Sequence, residues 1–276
     1  MARKRTITQF FATIISNANL KGFVEGKIYQ GQAKNLCVPG LNCYSCPGAI
    51  GSCPIGSLQA VVNNPRYKVS YYVIGLLALF GVLLGRFICG WLCPFGWFQD
   101  LFNKIPSKKL EWTEKLRNLR FVKYFILAIF VIIIPTFIVS TPTFCKYICP
   151  AGTLEASLPL LATNPPLRAL IGLNFYWKLF LLVALIGLSI IIYRPFCYSV
   201  CPLGAIYSVF NKVSFYQLRV DKEKCISCQK CLKACKFNIY AAYDTQSFEC
   251  IRCGDCVLIC PTDALSMGLK KMKKDM

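Results

Sequence analysis

Three stretches of this chain repeat one pattern, C-x3-C-P-x-G: CGWLCPFG at 89–96, CKYICPAG at 145–152 and CYSVCPLG at 197–204. Each stands just beyond a long apolar run. Cysteines at i and i+4 share one face of a helical turn, so both thiols of a pair point the same way. The proline that follows favours an extended preceding residue and ends the turn there. The glycine two positions later allows the backbone a close approach to whatever the thiols hold. SCPIGSLQ at 52–59 keeps only C-P-x-G around Cys53, and further cysteines stand upstream at Cys37, Cys43 and Cys46.

Composition limits what the thiols can do. Among 276 residues, 55% are hydrophobic and 16% charged, too apolar for a soluble chain of this length. Eighteen cysteines occur with no histidine, which excludes the imidazole-dependent sites of zinc, copper and b-type haem and leaves cysteine-only metal chemistry. A secreted disulfide scaffold would be short and soluble. The formal charge of +20 is reduced by any [4Fe-4S] cluster, a dianion with its four thiolates, yet four of them would leave the chain basic and suited to anionic lipid and acidic partners. No nucleic-acid recognition motif is present, and nucleic acid is not an expected partner.

Three runs approach the ~20 residues needed to cross a bilayer core: 69–85, 124–143 and 172–193, flanked by Tyr, Trp, Lys or Arg. Pro135 in the second is tolerable where neighbouring helices cover the freed backbone. A weaker N-terminal run, TITQFFATIISNANL, reads as an interfacial helix, a signal peptide or a short span. The segment 101–123 carries Lys104, Lys108, Lys109, Lys115, Arg117, Arg120 and Lys123, against Lys146 and Arg168 in 146–171, which places 101–123 in the cytoplasm. Four spans with both termini inside satisfy this rule if the N-terminal run also crosses.

The C-terminal region is polar and dense in cysteine. CISCQKCLKAC (225–235) and CIRCGDCVLICP (250–261) both read C-x2-C-x2-C-x3-C. The x2 gaps let three thiolates wrap one face of a cubane, and the fourth cysteine ligates the other cluster. The expected sets are Cys225, Cys228, Cys231 and Cys260 for one [4Fe-4S], and Cys250, Cys253, Cys256 and Cys235 for the second. Zinc is the competing metal for such thiols. Pro261 follows Cys260, whereas Lys236 follows Cys235.

Residues 218–267 resemble the bacterial two-cluster ferredoxins, which implies a compact α/β fold with internal two-fold symmetry. Lys222, Lys224, Lys230, Lys233 and Lys236 crowd its first half, either as a docking face for an acidic ferredoxin or flavodoxin or as a plain solvated face.

Among the apolar runs, a single pair of thiolates is too few for a cubane, so pairs must converge. Cys89 with Cys93 and Cys197 with Cys201 both follow inward-running spans and together make one set on the cytoplasmic side. Cys145 and Cys149 end an outward-running span, on the side of Cys37, Cys43, Cys46 and Cys53. The preferred outer set is Cys145, Cys149 and Cys53 with Cys43 or Cys46. The rival is Cys37, Cys43, Cys46 and Cys53 alone, and unligated buried cysteines are the structural alternative.

Apolar spans ending in C-x3-C-P, followed by a two-cluster ferredoxin, resemble the membrane polyferredoxins of the NapH and NosR type over nearly the whole chain, including GLNCYSCPGAIGSCPIGSLQ. The resemblance implies an α-helical membrane protein with a C-terminal α+β ferredoxin-like domain: 1–217 as membrane domain, 218–267 as ferredoxin domain and 268–276 as basic tail. It implies four [4Fe-4S] clusters and a multi-pass protein of the cytoplasmic membrane with the ferredoxin domain inside. Electrons would pass between a cytoplasmic partner or the quinone pool and an extracytoplasmic reductase. Neither a haem site nor a flavin domain fits the sequence. The acidic residues Asp221, Glu223, Asp244, Glu249, Asp255 and Asp263 lie in the ferredoxin module and form no catalytic constellation, so an electron-transfer component is expected rather than a stand-alone catalyst. The rivals are a quinol dehydrogenase, a small-molecule or metal-ion reductase, and an assembly factor similar to the cytochrome oxidase accessory polyferredoxins.

Overall fold

The computed structural model describes residues 2–62 and 71–269. It is mostly helical. The N-terminal run forms α1 (Ala2–Ser16), followed by α2 (Pro54–Val62), α3 (Tyr71–Leu84), α4 (Phe87–Trp91) and α5 (Pro94–Asn103). Two longer helices come next, α6 (Asn118–Phe137) and α7 (Leu173–Ile191), then the short α8 (Pro195–Ser199) and α9 (Pro202–Phe210).

α6 and α7 are long and apolar enough to cross a membrane, and less than a quarter of either apolar stretch is buried inside the protein. Phe125, Phe137, Leu173, Phe180 and Val183 project from them exposed. An apolar helix with an uncovered apolar face is suited to lipid. α6 winds as a π-helix over Leu127–Ile133, just ahead of Pro135, whose ring removes an N–H and crowds the preceding turn. α1, with 15 residues, covers about 22 Å, short of the ~30 Å hydrocarbon core, and the 14 described residues of α3 cover about 21 Å. The expected run 69–85 begins outside the described residues.

The long elements alternate in direction relative to the C-terminal module. The first turns of α1 carry Arg5 beside Asp100 and Asp255, and Asn17, just past its end, is bonded to Asn42. α3 leads to Arg86 and α7 to Arg194, both at the module end. α6 starts there, its Lys123 held by Glu249.

The module's sheet has two antiparallel strands, β1 (Tyr216–Val220) and β2 (Leu265–Leu269), in register from Tyr216↔Leu269 to Val220↔Leu265. Leu218, Cys231, Ala241 and Leu265 form its core. Two short helices, α10 (Lys230–Ala234) and α11 (Asp255–Leu258), complete it. Because β2 runs to Leu269, the expected tail 268–276 begins inside a strand, and 270–276 lie outside the described residues.

Candidate iron-sulfur sites

The two cysteine runs of the module are related by backbone conformation as well as by sequence. Ser227 and Arg252, Gln229 and Gly254, and Asn238 and Asp263 occupy matching positions, and all six have positive φ. Left-handed residues within a C-x2-C loop turn successive N–H groups inward into an anion-receiving nest, suited to thiolates and sulfide. Cys225, Cys228, Cys231 and Cys260 line one cavity, and Cys235, Cys250, Cys253 and Cys256 line another. The fourth cysteine of each run thus lies in the cavity of the other. Burial pushes the Cys253 thiol up to about 12, reinforced by Asp255, and raises Cys235 and Cys250 too. Such thiols become thiolates only where a metal supplies the compensating charge.

The module locks onto the helical domain through the residues around Cys250. Glu249 accepts from Arg86 Nη1 at 2.6 Å and from Lys123 Nζ at 2.6 Å. Burial works against this carboxylate, but Arg86 and Lys123 outweigh it and hold Glu249 below the usual carboxylate range. Arg252 donates to Leu84 O at 2.9 Å and to Asn211 O at 3.0 Å. Trp91 Nε1 donates to Arg252 O at 2.9 Å. Gly90 packs so tightly on Ile251 that a Cβ there would stand 2.3 Å from the Ile251 carbonyl oxygen.

This docking puts the module against a third group of thiols. Cys89, Cys93, Cys197 and Cys201 are each less than a tenth exposed and lie within electrostatic reach of one another. The N–H groups of Leu41 and Gly204 donate to Cys93 and Cys201 Sγ at 3.4 Å, and Gln99 Nε2 donates to Cys197 Sγ at 3.0 Å. Donors aimed at sulfur are what a cluster-bearing site supplies.

A fourth group lines a cavity of about 880 Å³ at the far end of α7: Cys43, Cys53, Cys145 and Cys149, with Lys178 beside them. Lys178 Nζ donates to Cys145 O at 3.2 Å, and Glu155 Oε2 accepts from Cys43 N at 2.5 Å. Of the six thiols expected on this side, Cys46 and Cys37 do not line the cavity: Cys46 donates to Asn17 Oδ1 at 3.4 Å, and Cys37 donates to Oγ of Ser57, a residue of the cavity wall, at 3.5 Å. Among the described residues, no three Cys, Asp or Glu side chains close on one mononuclear metal position.

Two family models, each described as a 4Fe-4S binding domain, match the chain, one over 69–113, 122–158 and 174–222, the other over 218–240 and 248–266. An uncharacterized protein of Methanocaldococcus jannaschii is 31% identical over 209 residues, covering 72% of this chain and 79% of the relative. The ferredoxin-type protein NapH of Escherichia coli is 22% identical over 226 residues, 78% of this chain and 73% of NapH. The chain belongs to the polyferredoxins of the NapH and NosR type. The putative electron transport protein YccM of Escherichia coli is 27% identical over 248 residues, 82% of this chain and 65% of YccM. No solved structure gives a significant match. The polyferredoxin is thus an iron-sulfur protein of ferredoxin-type electron transfer.

The buried charges around the third group are not among the expected site residues. Arg86, Arg194, Asp100 and Glu249 meet across more than 90 positions of sequence. One signal is available: arginine stands three residues before the first cysteine in RFICGWLCP and in RPFCYSVCP, whereas PTFCKYICP has Pro142 there.

Proposed function

We propose that this polyferredoxin relays single electrons across the cytoplasmic membrane, between a soluble partner on the module side and a partner reductase on the opposite side. Four [4Fe-4S] clusters, held by the four groups of cysteines, would supply the one-electron redox steps. The chain's residues fix the spacing, burial and hydrogen bonding that make a relay of them.

The observation that carries this reading is the linear order of the four groups. The first group reaches the surface at Cys228, which is exposed, with Ile226 beside it and Lys222, Lys224, Lys230 and Lys233 around it. That face suits an acidic redox protein. Lys236, also exposed, lies with its ammonium over the Tyr193 ring at 4.6 Å. Cys231 and Cys235 flank one turn of α10 and join the first group to the second. Gly90 against Ile251 joins the second to the third. Leu41, whose N–H meets Cys93 Sγ, is two residues from Cys43, so the loop 39–43 joins the third to the fourth. Tyr207, fully buried, anchors that loop by donating to Pro39 O at 2.9 Å.

The protein reconstituted in sealed vesicles tests this. Dithionite added outside should reduce ferricyanide trapped inside, and the rate should collapse in Cys201→Ala. Trapped oxidant that stays oxidised with wild-type protein contradicts the relay. The outer cavity favours a second reading, in which a quinol or other small molecule meets the fourth cluster directly, because about 880 Å³ falls within the range of small-molecule sites. Reduction of the isolated protein by a quinol analogue would support that reading, and no reaction with any quinol would remove it.

A further inference from the structure

The two inner motif copies are tied to each other by a reciprocal exchange. Arg86, three residues before Cys89, sends Nη2 to the carbonyl of Cys197 in the other copy, at 3.2 Å. Arg194, three residues before Cys197, sends Nη1 to the carbonyl of Cys89, at 2.6 Å. Both guanidinium groups are fully buried. Gly96 makes room for one of them, since a Cβ there would sit 3.2 Å from Arg194 Nη1, whereas a Cβ on Gly204 would make ordinary contact with Arg86 Nη2, at 3.7 Å. Arg194 itself stands in the left-handed region, φ 49°, a conformation that a non-glycine residue adopts only at a cost.

Each arginine has a carboxylate partner, and each carboxylate is shared with a second cation. Glu249 serves Arg86 and Lys123. Asp100 is bidentate to Arg194, at 2.7 and 2.5 Å, and lies 3.7 Å from Arg5. The Glu249 cluster therefore keeps a surplus of one positive charge beside the inner cysteines, whereas Arg5 also lies 3.7 Å from Asp255, so that the Asp100 cluster is balanced, with Arg194 as its cation nearest the thiols. At the outer site, Pro142 replaces the arginine and the carbonyl of Cys145 receives one lysine, Lys178.

We propose that Arg86 and Arg194 are positioning residues that close the two inner motif copies around one cluster and raise its reduction potential above that of the outer cluster. This rests on the reading that Cys89, Cys93, Cys197 and Cys201 hold a [4Fe-4S]. Reduction adds one electron and so one negative charge. A buried cation nearby, in a medium of low dielectric, stabilises the reduced form and moves the midpoint upward. The surplus charge also makes burial of an anionic cluster tolerable, since each isolated buried charge would otherwise be costly.

The test uses the full chain in detergent, titrated electrochemically and followed by EPR, with the inner signal assigned as the one lost in Cys201→Ala. Arg194→Gln should shift the inner midpoint downward, Asp100→Asn should shift it upward, and Arg194→Lys should keep most of the wild-type value. The other three midpoints should stay in place. Opposite signs from the two charge-removing variants are not expected of a purely structural contact. If Arg194→Gln does not assemble, Asp100→Asn and Arg194→Lys still give the reading. An inner midpoint that is unmoved in intact protein, or that moves the same way in both variants, overturns the proposal. So does loss of the inner signal in Arg194→Lys as complete as in Arg194→Gln. Iron content that is unchanged in Cys201→Ala would remove the inner cluster itself, and the proposal with it.

Discussion

The inner and outer thiol groups are built from copies of one motif and are finished differently. At the inner site two full C-x3-C-P-x-G copies face each other, each arginine reaching the other copy, and the site is closed on one side by the module through Glu249 and Ile251. At the outer site one full copy meets a degenerate one, Cys43 and Cys53 come from a long loop, one lysine stands in place of two arginines, and a cavity of about 880 Å³ remains. A closed, hydrogen-bonded site holds its contents at fixed distance and low dielectric, as suits an internal relay. An open one can exchange electrons with something outside the chain.

The largest effects should come from removing thiols. Cys201→Ala should abolish one cluster, about a quarter of the iron if four are bound, and should leave the outer cluster untouched. Cys43→Ala should do the converse, while Cys46→Ala and Cys37→Ala should retain full iron content. Loss of iron in Cys46→Ala equal to that in Cys43→Ala would bring back the rival outer set.

A smaller effect is expected at the junction that only the inner site has. Gly90→Ala forces a methyl group to 2.3 Å from Ile251 O. Overpacking of this kind costs roughly 1–3 kcal/mol and should loosen the module, read as faster proteolysis between residues 211 and 225. Gly187→Ala, in α7 with nothing within 4 Å, is the control, neutral or stabilising by up to about 1 kcal/mol. Equal behaviour of the two variants would mean that the module does not dock on Gly90.

The smallest effect is on pH dependence. Burial raises Asp100 and Glu249, but Arg194 and Arg86 respectively prevail and hold both below the ordinary carboxylate range. A depressed folded value gives stability that is complete above the unfolded value, near pH 4, and lost as pH falls through it toward the folded value. Thermal unfolding midpoints should therefore drop below pH 5 in the wild type and drop less in Asp100→Asn. A midpoint independent of pH between 3 and 6 would sever these pairs from stability.

Much of this site is legible in the sequence because cysteine spacing is a local signal. C-x2-C-x2-C-x3-C and C-x3-C-P can be read within eleven residues, and the directions of the apolar runs are enough to sort Cys89 and Cys93 with Cys197 and Cys201. Choosing Cys43 over Cys46 depends on the path of the loop after Asn42, which propensity and periodicity do not encode. Glu249 looks like one more surface acid of a soluble module, because its partners Arg86 and Lys123 lie more than 120 positions away. The arginines are hidden for a different reason: at the end of an apolar run an arginine suggests an interfacial anchor, and here both turn inward. Helix length is less legible, since α1, with 15 residues, is shorter than a spanning helix although it contains an apolar run.

The most direct measurement is iron and acid-labile sulfide per chain, with spins counted in redox-titrated EPR. Four [4Fe-4S] clusters per chain are expected. Two, both lost in variants of Cys225–Cys260 and neither in variants of Cys89–Cys201, would leave a ferredoxin on a helical anchor and contradict the relay.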